Sequence, residues 1–233
     1  MIKNNLADFE KKIGIDFKNK DLLQQVFVHR SYLNENIGFS LDHNERLEFL
    51  GDAVLELIVT DYLYKKLPNP EGELTNLRSA LVKGRMLSDI AQSLNINDYL
   101  YLSKGEAKSG GKARQIILAN TLEALVGAIY LDQGYEQARV FLEKYLINKL
   151  SDIINQKLYL DPKSHLQELS QAHFNITPTY RVLTEYGPDH DKSFTVGCFL
   201  NDKLIGEGSG SSKQAAESAA ASSATEHWDE IRS

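Results

Sequence analysis

Hydrophobic and polar positions follow two rhythms along this chain, and the rhythm changes near residue 158. Before that point apolar residues recur every three or four positions, the spacing of helices that each bury one stripe. Leu6, Phe9, Glu10 and Ile13 begin such a pattern, and Asp21 to Phe27 continues it. His29-Arg30-Ser31 follows, then a polar stretch to His43, where a hydrogen-bonded structural histidine is the reading of His29. Asn44 to Leu57, NERLEFLGDAVLEL, predicts a helix with two stripes. Glu45, Glu48, Asp52 and Glu56 hold one side at i, i+3, i+7 and i+11. Leu47, Leu50, Val54, Leu57 and Ile58 hold the other, with Phe49 and Leu55 flanking the acids. Pro68-Asn69-Pro70 enforces a break. Leu77 to Leu81 and Met86 to Ser93 read as helices, the first with Thr75 as its N-cap. Gly105 to Lys112 reads as a flexible Gly/Ser/Lys loop without the spacing of a Walker loop, so no nucleotide cofactor is expected. Ile116 to Leu131 is apolar on nearly every face, which predicts a helix in the middle of a bundle. Residues 136 to 158 predict one more amphipathic helix.

The second rhythm is period two. Tyr159-Leu160-Asp161-Pro162 reads as a linker ending in an N-cap and a first-turn proline. Pro162 to Phe174 predicts a helix. Thr179 to Glu185 and Ser193 to Leu200 alternate like strands, with Phe194, Val196, Cys198 and Leu200 on one side. Asn201-Asp202 predicts a turn, Lys203 to Gly208 a third strand, and Lys213 to Trp228 an alanine-rich helix. The expected architecture is therefore two domains. Residues 1–158 form an all-α domain, and residues 159–233 form a linker and a small α+β module of order α-β-β-β-α.

Composition narrows the setting. Of 233 residues, 42% are hydrophobic and 25% charged, as in a soluble globular protein. The N-terminal residues lack the apolar run of a secretory signal, and no uninterrupted apolar segment reaches membrane-spanning length. Cys198 is the only cysteine, which excludes an intrachain disulfide and fits a reducing, cytoplasmic location; its spacing makes it a small core hydrophobe. A net charge of −6 argues against indiscriminate nucleic-acid binding, so positive charge must be local or supplied by bound cations.

The acidic stripe has two readings: a solvated face, or a set of oxygen ligands for a hard divalent cation. Like charges at i+3 and i+4 destabilise a helix by a few tenths of a kcal/mol per pair, roughly. Asn120 and Glu123 lie three residues apart on the apolar helix, with Gly127 one turn on, where a neighbouring helix can approach closely. A carboxylate in such surroundings must be protonated, ion-paired or metal-bound. The waiting stripe tips Glu123 towards metal.

The whole length resembles bacterial ribonuclease III. His43-Asn44-Glu45-Arg46-Leu47-Glu48-Phe49-Leu50-Gly51-Asp52 is similar to the signature of its nuclease domain. His29-Arg30-Ser31, Glu71-Gly72-Glu73-Leu74-Thr75, Lys108-Ser109-Gly110-Gly111 and Ile117 to Ala124 recur in the family's order and spacing. The resemblance implies an all-helical, homodimeric nuclease domain that uses Mg²⁺, with Mn²⁺ able to take its place. It further implies cleavage of both strands of an RNA duplex, leaving 5′-phosphates and short 3′ overhangs, in ribosomal-precursor and other RNA processing. Carried over by position, Glu48, Asp52, Asn120 and Glu123 form the metal site, and Glu45, Glu48, Asp52 and Glu123 the catalytic acids. The C-terminal module resembles a double-stranded RNA-binding domain. There Lys163, Gln167 and Glu168 match positions that touch ribose hydroxyls, His190 lies in the loop that enters the next minor groove, and Ser212 and Lys213 match the phosphate clamp.

Two departures stand out. Asn120 occupies a position where the family usually has aspartate, and Gln214 follows Lys213 where a second basic residue is common. Residues 161–233 hold six Lys/Arg against eleven Asp/Glu, a net −5. A duplex-RNA-binding protein with weak or no cleavage is therefore the alternative to the nuclease.

Overall fold

The computed structural model describes residues 5–188 and 192–232. The chain divides into two compact units between Tyr159 and Leu160.

The first unit is all helical. Its elements are α1 (Leu6–Ile13), α2 (Lys20–Val26), α3 (Arg30–Glu35), α4 (Glu45–Lys66) and α5 (Glu71–Leu81). They are followed by α6 (Gly84–Ser93), α7 (Lys104–Lys108), α8 (Gly111–Gln133), α9 (Tyr135–Tyr145) and α10 (Leu150–Asn155). Helix α8 runs through the centre, with eleven buried residues between Ile117 and Ile129. Around it pack Leu55 and Ile58 of α4, Leu87 and Ala91 of α6, and a ring cluster of Phe9, Phe27 and Tyr99. By length and composition alone α8 is long and apolar enough to cross a membrane, although Asn120, Thr121 and Glu123 interrupt its apolar run. Most of that apolar stretch is buried inside the unit, so α8 is a core helix.

Several boundaries differ from expectation for local reasons. Helix α5 starts at Glu71, four residues before Thr75, because Glu71 and Glu73 suit the positive end of the helix dipole. Residues expected to form a flexible loop fold into α7, capped by Ser103, whose hydroxyl accepts from the Glu106 amide at 3.2 Å. Arg114 then satisfies the carbonyls of Glu106, Ala107 and Ser109 at 2.8, 3.1 and 3.2 Å. The polar stretch after His29 contains α3, with the His29 side chain as its N-cap. The single helix expected over 136–158 is broken into α9, a 3₁₀ turn and α10, which buries the adjacent Leu146 and Ile147 together.

The second unit has the order α11 (Pro162–Phe174), β1 (Thr179–Tyr186), β2 (Ser193–Leu200), β3 (Lys203–Gly210), α12 (Lys213–Glu226) and α13 (Trp228–Arg232). Asp161 caps α11 by accepting from the Ser164 amide, and Pro162 takes the first turn. The strands form one antiparallel sheet of order β1-β2-β3, with Thr179 opposite Phe199 and Leu200 opposite Lys203. Asn201 turns the β2–β3 hairpin with φ +54°, a left-handed geometry that asparagine tolerates. Phe194, Val196, Cys198 and Leu200 are buried with Leu166 and the alanines of α12. Cys198 is fully covered, and burial pushes its thiol up to about 11. It is a core residue.

Candidate metal and RNA sites

The site in the first unit is built where α4 and α8 touch. At Gly51 there is no room for a methyl group, which would overlap the carbonyl of Glu123. At Gly127 a methyl group would overlap the carbonyl of Leu47. Two helices ordinarily keep about 8–10 Å between axes, and side chains set that distance. Here the backbones themselves meet. Gly51 follows Glu48 by three residues and directly precedes Asp52, while Gly127 follows Glu123 by one turn. Close approach therefore presses Glu48, Asp52, Asn120 and Glu123 towards one place.

Electrostatics record that convergence. Burial pushes the Glu123 carboxyl up to about 7, with the charges of Asp52 and then Glu48 adding to the effect. Burial likewise raises Glu48, opposed by a hydrogen bond from Asn120 and assisted by Glu45 and Asp52. The Asn120 amide Nδ2 donates to Glu48 Oε1 at 2.8 Å. An aspartate there could not donate; it would add a further like charge. Among the described residues no three His, Cys, Asp or Glu side chains are gathered as a ready coordination cluster. The carboxylates nevertheless sense one another through their charges, Glu123 feeling Asp52 and Glu48, and Glu48 feeling Glu45 and Asp52. Chemically the set is all oxygen: three carboxylates and an amide oxygen, the donors that suit a hard divalent cation.

The ends of the acidic stripe are engaged differently. Glu45 stands beside the cluster, 3.8 Å from Arg30 Nη1 and 3.7 Å from His43 Nδ1. Glu56 pairs with Arg78 Nε of α5 at 3.3 Å, so it belongs to a surface ion pair. His29 is structural as expected: its Nδ1 lies 2.8 Å from Ser31 Oγ and caps α3, and burial lowers its pKa.

The outer side of α4 corrects one reading. Leu57, expected on the buried stripe, is 58% exposed, and Phe49 is 83% exposed. Leu55, expected at the edge of the acids, is fully buried. Phe49, Leu57 and Tyr64 share one exposed face, because the contact with α8 is centred on Gly51 and uses the other side. Gly51 was the positioning residue missed in the sequence. Its signal was a glycine inside a helix at the foot of two acids, the partner of Gly127.

In the second unit, Gln167 and Glu168 lie with Ser164 and Gln171 along an exposed polar groove on α11. Ser212 caps α12 by accepting from the Ala215 amide at 3.2 Å. Lys213 places Nζ 5.7 Å from the centre of the Phe194 ring. Lys163 is turned inward and pairs with Glu217 at 2.6 Å. His190 lies outside the described residues.

A ribonuclease-III-like family model matches residues 19–150, and a double-stranded RNA binding motif matches residues 162–227. Ribonuclease 3 of Carboxydothermus hydrogenoformans is 45% identical over 227 residues, covering 97% of each chain. Ribonuclease 3 of Chloroflexus aurantiacus is 44% identical over 231 residues, 98% of this chain and 93% of that one. The solved nuclease domain of ribonuclease III from Campylobacter jejuni superposes with TM-score 0.56 at 39% identity, covering 62% of this chain and 97% of that one. That structure was described for flexibility in a region involved in dimer formation.

Proposed function

Because this chain belongs to the ribonuclease III family and is a double-stranded-RNA-specific endoribonuclease, we propose that it cuts both strands with Mg²⁺ held between α4 and α8. The observation that carries this reading is the glycine crossing, which brings the helices of Glu48, Asp52 and Glu123 together, where burial, and after it the charges of Asp52 and Glu48, pushes the Glu123 carboxyl up to about 7. A buried carboxylate beside like charges is relieved by a cation. Glu48, Asp52 and Glu123 are the charged oxygen ligands, and Mn²⁺ serves in place of Mg²⁺. A bound Mg²⁺ supplies charge stabilisation at the phosphate and an acidified water.

The protein's own residues do the rest. Asn120 orients Glu48 through its amide N–H and offers Oδ1 as a neutral ligand. Glu45, restrained by Arg30 and His43, stands at the mouth as an accessory acid. Asn120 carries one charge less than aspartate, so cation affinity is lower than in relatives with an acid there. That supports slow cleavage at low Mg²⁺, the point on which a pure binding protein would differ.

The active form is a homodimer. Phe49, Leu57 and Tyr64 make an exposed apolar face on α4 beside the acidic stripe, and a second copy on that face brings two acid clusters to one duplex. One binding event then cuts both strands, leaving 5′-phosphates and short 3′ overhangs. The second unit binds duplex RNA across its grooves through the polar face of α11 and the start of α12. The setting is cytoplasmic, in processing of ribosomal precursors and other structured transcripts. Incubating a long RNA duplex with and without Mg²⁺ and analysing the product ends tests this. Intact duplex at every Mg²⁺ and Mn²⁺ concentration, with binding retained, would establish the binding protein instead.

A further inference from the structure

Lys163 matches a position expected to touch RNA, yet its ammonium is engaged by partners within the second unit. Leu166 and Ser170, three and seven residues on, are both fully buried, so Lys163 shares the inward face of α11. Ser164, Gln167, Glu168 and Gln171 occupy the outward face. The Lys163 ammonium is engaged twice, 2.6 Å from Glu217 Oε2 of α12 and 4.8 Å from the centre of the Tyr180 ring of β1. Both partners of the ion pair are partly covered, with side chains 37% and 29% exposed.

The mechanical setting of α11 gives this pair a task. Helix α12 has little freedom, since Gly206, Gly208 and Gly210 bring β3 into backbone contact with its alanines. Helix α11 is anchored further along, by Leu166 and by Ser170 Oγ, which donates to the Ile176 carbonyl at 2.6 Å. Its first turn carries no buried apolar side chain. Lys163 ties that turn to α12 through Glu217 and to β1 through Tyr180.

We propose that Lys163 and Glu217 form an internal strut that holds the polar face of α11 at a set angle to the Ser212–Lys213 end of α12. Glu217 is thus a positioning residue for duplex RNA, and Lys163 meets no phosphate. The inference rests on the reading of the second unit as an RNA binder. An A-form duplex demands contacts at a fixed separation across two grooves, so a first turn free to swing loses affinity without losing a charge contact.

The test is duplex RNA binding by the full chain in chelator, which prevents cleavage, as a function of KCl concentration. Lys163→Met, Glu217→Gln, the double variant and the charge swap Lys163→Glu/Glu217→Lys are compared. Each single change should weaken binding about threefold to tenfold, and the double variant no more than the worse single, as expected for one coupled pair. The salt dependence should keep the parent slope, because no phosphate contact is lost, and the swap should recover most of the affinity. A slope reduced by about 0.7–0.9 in Lys163→Met would identify a direct phosphate contact and overturn the strut. Tighter binding by Glu217→Gln, or additive losses in the double variant, would overturn it as well. If a single variant melts before it can be assayed, the swap decides, since a folded swap without recovered binding rejects the proposal. A parent that binds no duplex sinks the RNA-binding reading itself, an outcome separate from all of these.

Discussion

Gly51 and Gly127 remove side chains from the contact of α4 with α8, and Gly206, Gly208 and Gly210 do the same between β3 and α12. The first contact is flanked by Glu48, Asp52, Asn120 and Glu123; the second meets Ala215, Ala216, Ala219, Ala220 and Ala224. Close approach magnifies whatever stands beside it. Beside alanines it yields dense packing and nothing further. Beside acids it concentrates like charge in partly dehydrated surroundings, and that unfavourable energy is available to a cation. The same backbone device serves stability in one unit and chemistry in the other.

The largest test removes the device from each contact in turn. Gly51→Ala places a methyl group on the Glu123 carbonyl, where only a shift of helix backbones makes space. The first unit should lose about 3 kcal/mol or more, and cleavage should disappear. Gly208→Ala, equally blocked by α12, should unfold the second unit while the first keeps its melting transition and a low-salt cleavage activity. Calorimetry resolves the two transitions. A Gly51→Ala protein that melts and cuts like the parent would remove the basis of the comparison.

The next test changes charge at the crossing and leaves packing alone. Glu123→Gln should reduce cleavage by about a hundredfold or more, the scale on which one electrostatic stabiliser acts. In chelator the same change should stabilise the first unit, and the sign follows from the titration. Glu123 ionises near 4.5 in the usual case but near 7 in the fold, so its protonated form is the favoured one. Its contribution is whole below about pH 4.5 and is lost as pH rises through 7. The Gln variant should therefore match the parent near pH 4.5 and exceed it at pH 8 by about 1–2 kcal/mol, after discounting for solvent screening. A variant melting well below the parent at pH 8 would make Glu123 a structural partner.

Asn120→Asp asks whether the crossing can hold still more charge. It exchanges a donor to Glu48 for a fourth carboxylate. Half-maximal cleavage should move to about tenfold lower Mg²⁺, while the protein in chelator becomes less stable. An unchanged Mg²⁺ profile would place residue 120 outside the ligand set. The smallest expected effect lies at the far end of the stripe. Glu56→Gln breaks an exposed pair with Arg78, and should leave cleavage intact and cost at most about 0.5–1 kcal/mol in thermal melts. A marked loss of cleavage there would extend the cluster beyond the crossing.

Much of this was legible in residue spacing. Stripes at helical spacing marked α4, near-uniform apolarity marked α8, the switch to period two marked the second unit, and Asp161-Pro162 marked the start of α11 to the residue. What spacing could not show was which of two apolar faces of α4 would be covered. Leu57 looked as suited to burial as Leu55, and only the docking of Gly51 against α8 chose between them. Partner choice among ions was equally hidden. Glu56 and Glu48 sit two turns apart on one stripe, yet one meets an arginine from α5 and the other an amide from α8. Lys163 shows the same limit, since its position in the motif fits RNA contact while its neighbours in space are Glu217 and Tyr180.

Cys198 has a practical consequence. It is the only thiol in the chain, lies wholly inside the second unit, and stays protonated well past neutral pH. A thiol reagent at pH 7–8 can label it only after that unit opens, because both access and the thiolate are withheld in the closed form. The unlabelled wild-type chain thus carries its own clock. The rate of labelling against reagent concentration reads the opening equilibrium of the RNA-binding unit. It does so with the nuclease unit silent in the same sample, and any ligand that closes the second unit slows the clock in proportion to its hold.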